Sequence, residues 1–147
     1  MKRYTDNEIK KLLQNSTLRE LGQEASKIKA KLHPNKTTTF IVDRNINYTN
    51  ICWVDCKFCA FKRKLGQEGQ YILSFEEIDK KIEELIAIGG TQILFQGGVH
   101  PKLKIDYYEN LVSHIANKFP NITIHGFSAI EVNYIAKVSH LSIPQVL

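Results

Sequence analysis

Three cysteines stand at C-x3-C-x2-C spacing in Cys52-Trp53-Val54-Asp55-Cys56-Lys57-Phe58-Cys59, and the chain has no others. Thiolates are soft ligands and nucleophiles, so their gathering points to metal or redox chemistry. Four readings compete. A disulfide between residues this close is strained, leaves one thiol over and is disfavoured in a reducing cytosol. Structural zinc takes four ligands, and none of His33, His100, His114, His125 or His140 follows a cysteine at the usual short spacing. Plain buried cysteines do not suit a polar loop. The fourth reading is an iron–sulfur cubane, which normally takes four thiolates. Three thiolates leave one iron open to a small molecule, as chemistry at the cluster requires. The residues favour the cluster, with zinc next. A non-catalytic zinc- or RNA-binding module stays open as the rival from another class, and an inactive remnant as a third reading.

The elements that must position this loop can be read on either side of it. Thr5 with Glu8, ahead of Ile9, Leu12 and Leu13, has capping-box spacing. Thr17 with Glu20 repeats it ahead of Leu21, Ala25, Ile28 and Leu32, and His33-Pro34-Asn35 ends that helix. Thr37 to Asp43 is β-branched and apolar and predicts a buried strand leading into the cysteine loop. Ser74-Phe75-Glu76-Glu77 then opens a helix with Ile78, Ile82, Leu85 and Ile86 on one face, closed by Gly89-Gly90. A strand over Thr91–Phe95 ends at Gln96-Gly97-Gly98. A helix over Asp106–Phe119 turns Tyr108, Leu111, Val112 and Ile115 inward, and a third strand spans Asn121–Phe127. Ser128 with Glu131 caps a helix carrying Val132, Ile135 and Val138.

Alternation of this kind predicts α/β architecture with a parallel sheet: the first three βα units of a barrel, preceded by two N-terminal helices. In such barrels chemistry sits at the C-terminal ends of strands. The cysteine loop, Gln96-Gly97-Gly98 and Phe127-Ser128 all fall there. Ser142 reads as the cap of one more helix, after which the chain ends. Three βα units cannot close a barrel and leave an open strand edge, so a truncated protein or a fragment is expected.

Composition narrows the partners. The formal charge is +5, but most lysines alternate with acidic residues, as between Glu76 and Glu84, which suits solvated helix faces. Lys62-Arg63-Lys64 is the one tight basic run and reads as solvated too. No nucleic acid is expected. No apolar stretch is long enough to span a membrane, and the start Met1-Lys2-Arg3-Tyr4-Thr5-Asp6 lacks the apolar core of a signal peptide. A cytoplasmic location is expected.

C-x3-C-x2-C with Phe58 before the last cysteine, in the loop after the first strand, resembles the radical S-adenosylmethionine superfamily. Phe40 to Asn50, Cys59-Ala60-Phe61 and Gly89 to Pro101 narrow the resemblance to its menaquinone and deazaflavin-cofactor branch. Asp43 to Asn50 and the Thr91-Gln92-Ile93-Leu94 and Gln96-Gly97-Gly98 segments look most like the dehypoxanthine futalosine cyclase family. The similarity covers nearly the whole chain. It makes 1–36 an N-terminal helical segment and 37–147 an incomplete radical S-adenosylmethionine core.

That resemblance implies an oxidoreductase with a 4Fe-4S cluster on Cys52, Cys56 and Cys59, whose free iron chelates S-adenosyl-L-methionine. It implies cleavage to methionine and a deoxyadenosyl radical, which takes a ribose hydrogen from dehypoxanthine futalosine. The carbon radical then closes onto the aromatic ring, within the futalosine route to menaquinone. Aminodeoxyfutalosine synthase and the deazaflavin synthase subunit share the cysteine loop and differ in substrate. An electron donor such as flavodoxin or ferredoxin is implied as partner.

Cofactor contacts are implied for Phe58. They are implied also for Gln96-Gly97-Gly98, which stands where relatives carry a segment that meets the methionine amino group. Ser128 and Glu131 form a capping box whose strand-end position allows cofactor contact. His100 faces either a turn or the substrate. Arg44, Asn47 and Asn50 read as residues that fix the cysteine loop by hydrogen bonds.

Overall fold

The computed structural model describes residues 3–35 and 37–147. Met1 and Lys2 of the basic start, and Lys36 at the expected segment boundary, lie outside the described residues. Contacts divide the chain into two units, Met1–Phe40 and Ile41–Leu147.

The first unit holds α1 (Asp6–Asn15) and α2 (Leu18–Leu32). The Thr5 hydroxyl accepts from the Glu8 amide while the Glu8 carboxylate accepts from the Thr5 amide, and Thr17 and Glu20 do the same. Each pair satisfies amides that a helix start leaves without partners. His33 caps α2 just before Pro34, which cannot continue a helix. Neither helix buries a residue.

The second unit runs β1 (Asp43–Ile46), α3 (Phe75–Ala87), β2 (Gln92–Phe95), α4 (Ile105–Lys118), β3 (Thr123–Gly126), α5 (Ala129–Ser139) and α6 (Ile143–Val146). The strands form one parallel sheet in the order β1-β2-β3. Their register brings Ile46, Phe95 and Gly126 level, so the loops after the three strands leave one edge side by side.

Ile93 and Phe95 of β2 are fully buried. Ile78, Ile82 and Leu85 of α3, and Tyr108, Leu111 and Ile115 of α4, are buried at helical spacing and join the same core. Each such side chain contributes roughly 1.5–3 kcal/mol by leaving water. Lys104 gives α4 no side-chain cap; the Ile105 amide donates instead to Ser139 Oγ at 2.9 Å, tying the start of α4 to the end of α5.

The expected strand over Thr37–Asp43 is a correction. Pairing begins only at Asp43, and Phe40 is 88% exposed. The turn after α3, with Gly89 at φ 79°, delays β2 until Gln92, so among the described residues the run before Asp43 makes one backbone bond to the β2 side, from the Thr91 amide to the Val42 carbonyl. β-Branched composition favours a strand only where a neighbour exists. The second and third strands are shorter than expected at their ends for the same reason. Ile86 is 46% exposed, not inward, because it lies one residue round the helix from buried Leu85. Val112, Val132 and Val138 are half-buried.

Candidate metal and cofactor site

The loop after β1 is gripped at its base from two sides. On one side, the Leu73 amide donates to the Tyr48 carbonyl at 2.8 Å and Thr49 Oγ1 donates to the Tyr71 carbonyl at 2.6 Å. Asn50 donates to the Gly69 carbonyl at 2.9 Å and accepts from the Tyr71 amide at 2.8 Å. The Cys52 amide donates to the Arg63 carbonyl at 3.0 Å, and the Arg63 amide to the Asn50 carbonyl at 2.9 Å.

On the other side lies the segment after β2. The Gly98 amide donates to the Thr49 carbonyl at 2.7 Å, the Trp53 amide to the Val99 carbonyl at 2.8 Å, and the Val99 amide to Cys52 Sγ at 3.3 Å. Only glycine permits this approach. A Cβ on Gly98 would stand 2.2 Å from the Ile51 carbonyl oxygen, and one on Gly97 would stand 2.5 Å from Cζ of Tyr48. Both glycines therefore make room for the protein's own chain.

The third loop begins with a strained residue. Phe127 holds φ 59°, a region costly for a side-chain-bearing residue. Its ring is seated against Tyr48, Phe95 and Tyr108. Ser128 then caps α5, and Glu131, only 3% exposed, lies beneath the three loops. One Glu131 oxygen accepts from the Tyr48 hydroxyl at 2.6 Å and the Gly97 amide at 2.9 Å. The other accepts from the Ser128 amide and hydroxyl, both at 2.7 Å. A carboxylate has about four acceptor sites, and all of Glu131's are engaged. Burial, then the neighbouring Tyr108 and Glu131, push the Tyr48 hydroxyl far above its ordinary pKa, so it stays a donor.

Cys52, Cys56, Cys59, Phe58, Gln96, Gly97, Gly98, Ser128 and Glu131 all line one cavity of about 280 Å³. Cys52 and Cys56 are partly buried, Cys59 is exposed, and Phe58 is 91% exposed at the rim. The amides of Gln96, Gly97 and Gly98 are engaged by Ile46, Glu131 and Thr49. Their carbonyl oxygens accept no hydrogen bond among the described residues. This segment therefore offers a ligand acceptors, which suits an amine.

Other residues fall differently from their sequence reading. Lys62 is not solvated: its side chain is 14% exposed, lines the cavity and pairs with Asp55 at 2.5 Å. The bonds between Arg63 and residues 50 and 52 draw the run inward. Sequence patterning missed this because charge spacing does not report loop closure. Asn50 fixes the loop as expected, whereas Arg44 ties β1 to α3 through the Lys81 carbonyl and Glu84. His100 is a turn residue outside the cavity lining: its Nδ1 accepts from the Lys102 and Leu103 amides, both at 3.1 Å.

The donor set fits an iron–sulfur cluster. Among the described residues no histidine lines the cavity, and both oxygens of Glu131, its one acidic side chain, are taken by four hydrogen bonds, so a fourth zinc ligand is not at hand. Among the described residues, no group of three or more His, Cys, Asp or Glu side chains is drawn tightly enough to hold one metal ion. Thiolates on a cubane bind separate irons and stand wider apart than ligands round a single ion.

Residues 46–142 match the family model described as the Radical SAM superfamily. The chain belongs to this superfamily. Members of the radical SAM superfamily are enzymes that use a 4Fe-4S cluster and S-adenosyl-L-methionine. This radical SAM chain is 48% identical over 137 residues to the cyclic dehypoxanthine futalosine synthase of Halalkalibacterium halodurans, covering 93% of the chain and 37% of that protein. It is 43% identical over 132 residues to the 5-amino-6-(D-ribitylamino)uracil–L-tyrosine 4-hydroxyphenyl transferase of Synechocystis sp., covering 86% of the chain and 33% of that protein. The chain thus spans about a third of the length of these relatives. In fold it is similar to the crystal structure of methylornithine synthase, with a TM-score of 0.63 at 19% identity over 94% of this chain and 42% of that one. The sheet and helices of the second unit are those of a partial radical SAM barrel.

Proposed function

We propose that this chain is the cluster-bearing part of a radical SAM enzyme that cyclises dehypoxanthine futalosine in the futalosine route to menaquinone. Cys52, Cys56 and Cys59 ligate the 4Fe-4S cluster. The free carbonyls of Gln96-Gly97-Gly98 accept from the amino group of S-adenosyl-L-methionine. Phe58, with Phe61, Val54 and Ile130, gives the cavity an apolar rim against which the cofactor can pack. Ser128 and Glu131 brace the cofactor segment, and Lys62 lends the cavity a cation. When bound, cluster and cofactor supply one-electron chemistry able to remove hydrogen from an unactivated carbon. A flavodoxin or ferredoxin supplies the electron, and three cysteines with no disulfide among them suit a reducing, cytoplasmic location.

The observation that carries this reading is the shared lining of one cavity by the cysteine trio and the open carbonyl edge, in a chain 48% identical to a cyclic dehypoxanthine futalosine synthase. The 43% identity to the tyrosine 4-hydroxyphenyl transferase supports a second reading, in which the same site acts on L-tyrosine. Anaerobic reconstitution with iron and sulfide tests the shared step. A visible absorption band and an electron paramagnetic resonance signal on reduction are expected, and C56A binding as much cluster as the parent would overturn the assignment. Product analysis then divides the two readings: cyclic dehypoxanthine futalosine supports the first, and a product from tyrosine and 5-amino-6-(D-ribitylamino)uracil the second.

A further inference from the structure

We propose that the Val99 amide is a dedicated hydrogen-bond donor to the first cluster ligand, Cys52, and sets how readily the cluster accepts an electron. Gly98 is the positioning residue that lets it reach. The inference rests on reading Cys52 as a cluster thiolate.

The Val99 amide donates to Cys52 Sγ at 3.3 Å, and the backbone on either side of it is held. Just before it, the Gly98 amide bonds the Thr49 carbonyl at 2.7 Å; just after it, the Val99 carbonyl takes the Trp53 amide at 2.8 Å. A side chain on Gly98 would meet the Ile51 carbonyl oxygen at 2.2 Å and its carbon at 2.7 Å, pushing the segment off the loop. Val99 is 6% exposed, so water does not compete for the bond. Among the described residues neither Cys56 nor Cys59 sulfur accepts a hydrogen bond, so the donor singles out one ligand of the three.

Reduction adds one electron from an external one-electron donor to the cluster, with no bond made or broken. Part of the added charge falls on the ligand sulfurs, and an N–H aimed at one of them stabilises the reduced state and raises the potential. A buried, fixed donor does so without reorganising.

The test is a redox titration, monitored by electron paramagnetic resonance, of anaerobically reconstituted wild-type chain and V99P. Proline removes the N–H but keeps the carbonyl that Trp53 uses. Equal iron and sulfide content is expected. At the wild-type midpoint, the ratio of reduced to oxidised cluster in V99P should be about tenfold lower, or about 59 mV for a one-electron couple. An unchanged midpoint overturns the tuning role while leaving the cluster assignment standing. Wild-type chain that takes up no cluster overturns the assignment itself. Should V99P fail to hold its cluster, V54I labelled with 15N-valine decides the matter, since Val54, the other valine lining the cavity, is then gone. A 15N hyperfine coupling in the reduced protein supports the bond, and its absence overturns it.

Discussion

The Tyr48 hydroxyl meets the Glu131 carboxylate at 2.6 Å across 83 residues of sequence. That bond ties the loop after β1 to the first turn of α5. The same oxygen takes the Gly97 amide, so all three strand-end loops converge on one buried charge. Removing the hydroxyl in Y48F leaves the ring's packing and deletes one charge-assisted bond. A stability loss of about 2 kcal/mol is expected in urea unfolding. E131Q should cost more, because an amide turns two donors of its own toward groups that also donate. Equal stability of Y48F and wild type would show that the bond is not formed in solution.

The glycine pair lends itself to a matched comparison. G97A places a Cβ 2.5 Å from the Tyr48 ring, and overpacking of this kind costs about 1–3 kcal/mol. G22A, within α2, meets nothing within 4 Å and should stabilise by up to about 1 kcal/mol, as alanine does in an open helix. Thermal melts of the two variants should move in opposite directions.

Asp79 clasps α3 to α4. It accepts from His114 Nε2 and from Lys118 Nζ, both at 2.8 Å. Burial pushes its carboxyl up, but the hydrogen bonds from Lys118 and His114 outweigh this and hold the pKa below its ordinary 3.8. The unfolded chain therefore binds the proton first as pH falls. The contribution is full above 3.8 and is lost as pH falls through the lowered native value. D79N should lose about 1–2 kcal/mol at neutral pH and show a shallower acid limb.

His100 predicts a second, milder pH dependence. Burial, with help from Lys102, lowers its pKa below 6.5. The backbone amides on Nδ1 already require the tautomer that carries its proton on Nε2. Stability should be full above 6.5 and decline as pH falls toward the lowered native value, because only the unfolded chain protonates easily there. H100N keeps an acceptor near the Nδ1 position and cannot titrate. Its unfolding free energy should be flatter than wild type between pH 6.5 and the acid limb of Asp79; a parallel slope would assign the dependence to another group.

What the sequence by itself determined was local. Thr5, Thr17, Ser74 and Ser128, each followed three residues later by a glutamate, set the helix starts, because a capping box closes within one turn and needs no distant partner. The cysteine spacing and the alternation of strand and helix were legible for the same reason. Tertiary structure decided what depends on a neighbour. The run before Asp43 is apolar and β-branched yet stays unpaired, since β2 does not reach it. Lys62, solvated by its charge pattern, is turned into the cavity by loop closure. The roles of Gly97, Gly98 and Glu131 could not be read from their types. A missing Cβ or a carboxylate acquires its meaning only from the atoms brought against it, here Tyr48 and Ile51, which the fold delivers from tens of residues away.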